Sequence, residues 1–154
     1  MALISVTRLR VRSFFYLPQF FWGNELSARQ LTHISGFLGG KLLVDRHRTF
    51  WTMTAWEDEA AMRAYRNGGA HRQVMPKLLK WCDEATVTHW NQETSTLLDW
   101  PEAYRRMISE GKVSKVNNPS PNHATKQFPE PRVGRLSRAV QPAPKSDAKV
   151  AHST

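Results

Sequence analysis

Gly69-Ala-His71-Arg72-Gln-Val-Met-Pro76-Lys-Leu-Leu-Lys-Trp81-Cys82-Asp-Glu-Ala85-Thr-Val87-Thr-His89-Trp90 holds two of the six His, two of the six Trp and the only Cys of the chain. Together with Gly68, its first residue forms a Gly pair that ends one element. Pro76 has no backbone N–H and disfavours helical geometry at Met75, so His71 to Cys82 is predicted to be a broken helix. From Ala85 to Trp90 apolar and polar residues alternate, which is the period of a strand. The segment therefore reads as helix stop, broken helix, strand.

Working back from it, Asp58 is a good N-cap and Glu59 suits the first turn of a helix running to about Asn67. Thr49 to Trp56 is rich in Thr and aromatics, Arg46-His47-Arg48 is a polar hairpin loop, and Phe37 to Asp45 is its apolar partner strand. Ser27-Ala28-Arg29-Gln30 has the form of a capping box for a helix from about Ala28 to a stop at Gly36. Trp22-Gly23-Asn24 reads as a turn after the apolar run Phe14–Trp22. Ile4 to Phe14 alternates, with Arg8, Arg10 and Arg12 on one face and Leu9 and Val11 on the other. Working forward, Asp99 caps a last helix whose stripe is Trp100, Ala103, Tyr104, Met107 and Ile108, ending at Gly111.

The order is strand, helix, strand, strand, helix, strand, then a terminal helix. This predicts an α+β fold of the ferredoxin-like, split βαβ kind, with a four-stranded antiparallel sheet covered by helices on one face. Both faces of the third strand are apolar: Phe50, Thr52, Thr54 and Trp56 on one side, Trp51, Met53 and Ala55 on the other. A homodimer whose two sheets face each other would cover the second face.

Of the net charge of +9, six units lie in residues 111–154, which hold 8 Lys/Arg, 2 Asp/Glu and six of the nine Pro. This predicts a domain over 1–110 and a basic, Pro-rich, disordered tail over 111–154. A lone cysteine fits a reducing compartment, and Met1–Phe14 carries Arg at every second position from Arg8, unlike a signal peptide, so a cytoplasmic protein is expected. The apolar run Phe14–Trp22 is too short to span a membrane. The tail has one aromatic, Phe128, so nucleic acid is not the expected partner.

Phe50-Trp51-Thr52-Met53-Thr54-Ala55-Trp56-Glu57-Asp58 resembles the strand-then-capped-helix signature of the antibiotic-biosynthesis-monooxygenase superfamily, the dimeric α+β barrels. Ala60-Ala61-Met62-Arg63-Ala64-Tyr65, followed by Gly69-Ala70-His71-Arg72, resembles that family's helix and the His after it. Residues 1–92 also resemble spheroidene monooxygenase-like proteins. The resemblance implies a monooxygenase-like protein that binds a flat hydrophobic molecule or haem between sheet and helices. The alternative is a non-catalytic dimeric ligand-binding or sensing module of the same fold.

His71 is the leading candidate for catalysis, because an imidazole after a helix break can point into a cavity and act as base or iron ligand. Its alternative role is structural: to cap a helix or to hydrogen-bond a carbonyl. By resemblance, Tyr65 stands where haem-degrading relatives place an aromatic, and the cofactor is either haem held by His71 or none. Arg72 and the row Arg8, Arg10 and Arg12 are candidate anion clamps; for the row, a dimer seam or a solvated edge stays open. Trp51 is a candidate pocket wall, and His89 a second imidazole if Val87 faces inward. Cys82 has no activating neighbour in sequence and reads as an inert buried thiol.

Overall fold

The central strand is β1 (Ala2–Val11), and its period-two pattern sorts the whole molecule into two sides. A computed structural model describes residues 1–133 and 136–144. β1 lies between β3 (Thr49–Trp56) and β4 (Cys82–Gln92), and β2 (Phe37–Asp45) flanks β3. This is the antiparallel β4-β1-β3-β2 core expected from the element order. Two short strands extend it at the edges, β5 (Lys112–Val113) on β4 and β6 (Ser137–Val140) on β2, giving six strands where the sequence predicts four.

One face carries three helices. The first, α1, spans Leu17–Thr32 after a short 3-10 turn at Phe14–Tyr16. The aromatic run is thus the start of a helix. Pro18 falls in its first turn, where a missing N–H costs nothing. Ser27 and Gln30 lie well inside α1, so they form no capping box, and Trp22-Gly23-Asn24 is helix, not turn. Gly23 serves the crossing with α3, since a Cβ there would stand 2.9 Å from Val74 Cγ2. The second helix, α2, spans Glu59–Arg66 and is capped as predicted by Asp58, whose carboxylate accepts from Ala61 N at 2.8 Å.

The third, α3, spans Gly69–Trp81 without interruption, with Pro76 inside it, contrary to the expected break. Arg72, Met75, Pro76 and Lys77 are all exposed. The carbonyl of Arg72, which Pro76 deprives of its helical partner, therefore lies on the solvent side, where water can satisfy it.

The other face of the sheet is covered by α4 (Trp100–Glu110) and by the segment after it. Ile4, Val6, Leu43, Trp51, Met53 and Ala55 pack there against Trp100, Ala103, Met107 and Phe128. The sequence assigns this face to a partner's sheet; the chain covers it with its own residues. The tail expected from residue 111 packs along 112–133 and 136–144. Val116, His123, Phe128 and Val140 are each at least nine-tenths buried. His123 Nε2 donates to Ser114 O at 2.9 Å while its Nδ1 accepts from Ala85 N at 3.3 Å, which fixes the tautomer. Composition shows that such a segment cannot fold alone; it does not forbid a few anchors docking onto a finished sheet. Residues 145–154 lie outside the described residues. Among the described residues, no helix is long and apolar enough to cross a membrane.

Candidate active site

A cavity of about 380 Å³ lies between the sheet and α1, α2 and α3. Its floor is the face of β1 that carries Ser5, Thr7 and Leu9, continued by Thr52 and Thr54 of β3 and by Val87 and His89 of β4. The register explains this set: Thr7 pairs with Thr52 on one side and Val87 on the other, and Ser5 with Thr54 and His89. Phe20, Leu31, Met62, Val74 and Leu78 supply apolar walls. The lining is mainly apolar with a small number of hydroxyls and two imidazoles, a composition suited to a ligand with a flat apolar body and a few polar groups.

His71 lies in the first turn of α3 and lines the cavity beside Tyr65 and Arg66. Its Nδ1 is 3.2 Å from the carbonyl oxygen of Arg66. A carbonyl only accepts, so Nδ1 carries the hydrogen and Nε2 keeps its lone pair. Burial holds the pKa of His71 below the ordinary value; the Arg66 carbonyl acts in the opposite sense, and the Arg66 charge adds to the lowering. The imidazole is therefore neutral at pH 7.

Gln30 places it there. Gln30 Oε1 accepts from His71 N at 2.8 Å, and Gln30 Nε2 donates to Gly68 O at 2.8 Å and Tyr65 O at 3.2 Å. One side chain from α1 thus clamps the α2–α3 junction. Gly69 is required at this point: its φ is +53°, and a Cβ would stand 3.0 Å from Gln30 Cδ. Tyr65 stacks between Trp56, at 5.5 Å, and His71, at 4.5 Å between ring centroids. Its hydroxyl donates to Ser27 O at 3.3 Å, and burial raises its pKa, so it remains a phenol.

Of the predicted site residues, the structure brings together His71, Tyr65 and His89, and Val87 and His89 do share the inner face. The others lie elsewhere. Trp51 faces the opposite side of the sheet, 1% exposed, between Trp100 and Phe128. Arg72 is exposed on the outside of α3 and lines no part of the cavity. Arg8 and Arg10 point away from the helices, as their alternation requires, but meet Glu84: Arg8 Nη1 to Glu84 Oε2 is 2.7 Å and Arg10 Nη1 to Glu84 Oε1 is 3.4 Å. Arg12 donates from Nε to Lys80 O at 2.7 Å and from Nη2 to the Tyr16 hydroxyl at 2.8 Å. No anion clamp forms from this row on the cavity side.

The donor set also bears on cofactors. His71, beside the Tyr65 ring, is the imidazole predicted to hold haem, and His89 is a second on the lining; the guanidinium row predicted to hold propionates lies on the far face or at the strand end. The predicted propionate clamp is therefore not on the cavity side. Among the described residues no three His, Cys, Asp or Glu side chains group to hold a metal ion. Cys82 is buried, and burial with the neighbouring Asp83 pushes its thiol up to about 12, which keeps it inert.

Residues 25–77, from within α1 to the middle of α3, match the family model for antibiotic biosynthesis monooxygenases. The fold is shared with solved structures, one of them described as an antibiotic biosynthesis monooxygenase. Solved structures of similar fold cover 60% to 64% of this chain. The chain resembles SnoaB, a cofactor-independent oxygenase from Streptomyces nogalater, with 17% identity and a TM-score of 0.52 over 64% of this chain and 98% of that one. It resembles Rv0793 from Mycobacterium tuberculosis with 8% identity and a TM-score of 0.56, over 63% and 100%. A third structure, described as an antibiotic biosynthesis monooxygenase, has 14% identity and a TM-score of 0.54, over 60% and 99%. No curated protein matches the chain in sequence. At these identities the likeness speaks for the fold alone. The matched segment contains Gln30, Tyr65 and His71.

Proposed function

We propose that the chain is a cofactor-independent oxygenase-like protein that binds a flat, hydroxylated aromatic molecule between sheet and helices, with His71 as the base. The observation that supports this most is the state of His71: a neutral imidazole, Nδ1 tied to the Arg66 carbonyl, Nε2 without a partner among the described residues, on the wall of an apolar cavity. Such a nitrogen can take a proton from a phenolic hydroxyl. The resulting anion is electron-rich and reacts with dioxygen directly; one oxygen atom enters the ring as a quinone oxygen and the other leaves as water. Thr7, Thr52 and Thr54 on the floor offer hydrogen bonds to ring oxygens, and the apolar walls exclude water from the anion. Tyr65 acts as a wall that fixes the imidazole plane. His89, at the exposed end of the cavity, contacts the ligand's outer edge.

The test is oxygen uptake with an anthracenol as substrate. The account expects uptake in step with quinone formation, and a fall of roughly 10²- to 10⁴-fold in kcat for His71→Ala. Undiminished turnover in that variant would remove His71 from the role. Ligand binding without oxygen uptake in either protein would support the binding or sensing module instead. Added haem should give no Soret band that depends on His71.

A further inference from the structure

Four large side chains protrude from one nine-residue stretch: Phe14 is 72% exposed, Phe15 73%, Phe21 47% and Trp22 63%. An α-helix rises about 1.5 Å per residue, so Leu17 to Trp22 advances less than about 8 Å and the four aromatics gather at one end of the molecule. Isolated exposed apolar residues are ordinary; a cluster this dense marks an interaction surface. Its surroundings are cationic. The Arg48 guanidinium stands 4.8 Å from the centre of the Phe14 ring, and that of Arg12 4.8 Å from the Tyr16 ring. Lys80 Nζ lies 6.0 Å from the same Tyr16 ring. The acidic groups on the adjoining elements already have cationic partners: Asp83 faces Arg10 and also feels the Arg48 charge, and Glu25 faces Arg29 and Arg138.

We propose that Phe14, Phe15, Phe21 and Trp22, rimmed by Arg12, Arg48 and Lys80, form a peripheral docking surface for an anionic lipid bilayer. The charge selects the partner. Phe and Trp enter the headgroup boundary, where apolar bodies leave water, while arginine and lysine meet anionic headgroups. The chain's formal net charge of +9 acts in the same direction. Neither a transmembrane helix nor a lipid anchor is needed for this kind of reversible binding. The surface is separate from the cavity and stands whether or not the proposed chemistry does.

Flotation of the full chain with vesicles tests it. Phosphatidylcholine vesicles containing one-third phosphatidylglycerol should bind the protein roughly a hundredfold better than phosphatidylcholine alone, given three cations at the surface. High salt should weaken the binding. Replacing Phe14→Ser, Phe15→Ser and Trp22→Ser together should weaken it at least about tenfold, with an unchanged melting curve because all three are exposed. No binding to anionic vesicles, or equal binding by the triple variant, overturns the proposal. So does a wild-type dimer in sedimentation that the triple variant disperses, because the surface would then be occupied by a second copy.

Discussion

His71 gains its chemistry from hydrogen bonds that hold its ring and backbone in place. The Arg66 carbonyl fixes the tautomer, and Gln30 holds the main chain from 41 residues away in sequence. Gln30→Ala removes three hydrogen bonds at the α2–α3 junction, at about 0.5–1.5 kcal/mol each. The expected result is a loss of about 1.5–4 kcal/mol in stability and a drop in kcat larger than any change in KM, read by denaturation and steady-state kinetics. The lowered pKa of His71 also has a sign. Its folded value lies below the unfolded one, so the unfolded chain binds the proton first as pH falls. This group therefore destabilises the fold progressively from about pH 6.5 downward, and base catalysis should persist somewhat below that pH before it fails. A pH–rate profile whose acid limb is absent in His71→Ala checks this. The Gly68-Gly69 stop made His71 legible in the sequence, because a helix break before an imidazole has a local signature. Gln30 has none: its role depends on α1 crossing α2 and α3, a contact that no spacing rule encodes.

β1 shows what an element's pattern can and cannot tell. Its alternation puts Leu9 and Val11 on one face and the arginines on the other; Leu9 and Val11 lie on the helical face, Arg8 and Arg10 on the far one, and Arg12, past the strand end, turns to Lys80 and Tyr16. Period two gives the face, not the partner. Arg8 is 3% exposed and Glu84 2%. Phe128 lies under the Arg8 guanidinium at 4.0 Å from the ring centre, and the Ser120 hydroxyl donates to Glu84 at 2.8 Å. Burial alone would raise the Glu84 carboxyl, but the hydrogen bond and charge of Arg8, with Ser120 and Arg10, outweigh it and hold the carboxyl below its ordinary value. Its contribution is thus present above the unfolded pKa and lost as pH falls through the folded one. Glu84→Ala leaves Arg8 buried without its partner and should cost about 3–5 kcal/mol by denaturant unfolding, whereas removing both charges with apolar residues should cost much less. Equal losses would mean that packing, not charge, dominates. Pro76 and the Phe14–Trp22 run mark the limits of local rules: the penalty of a proline is bearable where the freed carbonyl is exposed, and an aromatic run becomes helix when proline sits in its first turn.

At the scale of the molecule, the sheet has two apolar faces and the chain fills both. α1, α2 and α3, with Ser114, Lys115 and Val116, surround a cavity on one; α4 with Phe128 seals the other. The face of β3 for which the sequence expects a partner's sheet carries α4 and Phe128. Cutting the chain after Glu110 removes Val116, His123 and Phe128 and bares Trp51 and Arg8. The loss of Phe128 packing alone should cost about 3–5 kcal/mol. The truncated protein should unfold at lower denaturant or associate through the bared face, seen by unfolding and sedimentation; unchanged behaviour would return the segment to a mere tail. The fold was readable because the core strands carry their period and α2 and α4 their Asp caps; the docked extension was not, since four scattered anchors among Pro, Ser and Lys leave composition unchanged. The cavity's place between sheet and helices is the central claim, and three histidines report on it. His71 and His89 line the cavity, while His123 does not and is held at the edge of β4 by Ala85 N and Ser114 O. Titrating an anthracenol into the full chain while following the histidine ring resonances by NMR tests it most directly. The account predicts shifts at His71 and His89 with His123 unmoved; shifts at His123 with His71 and His89 silent would contradict it.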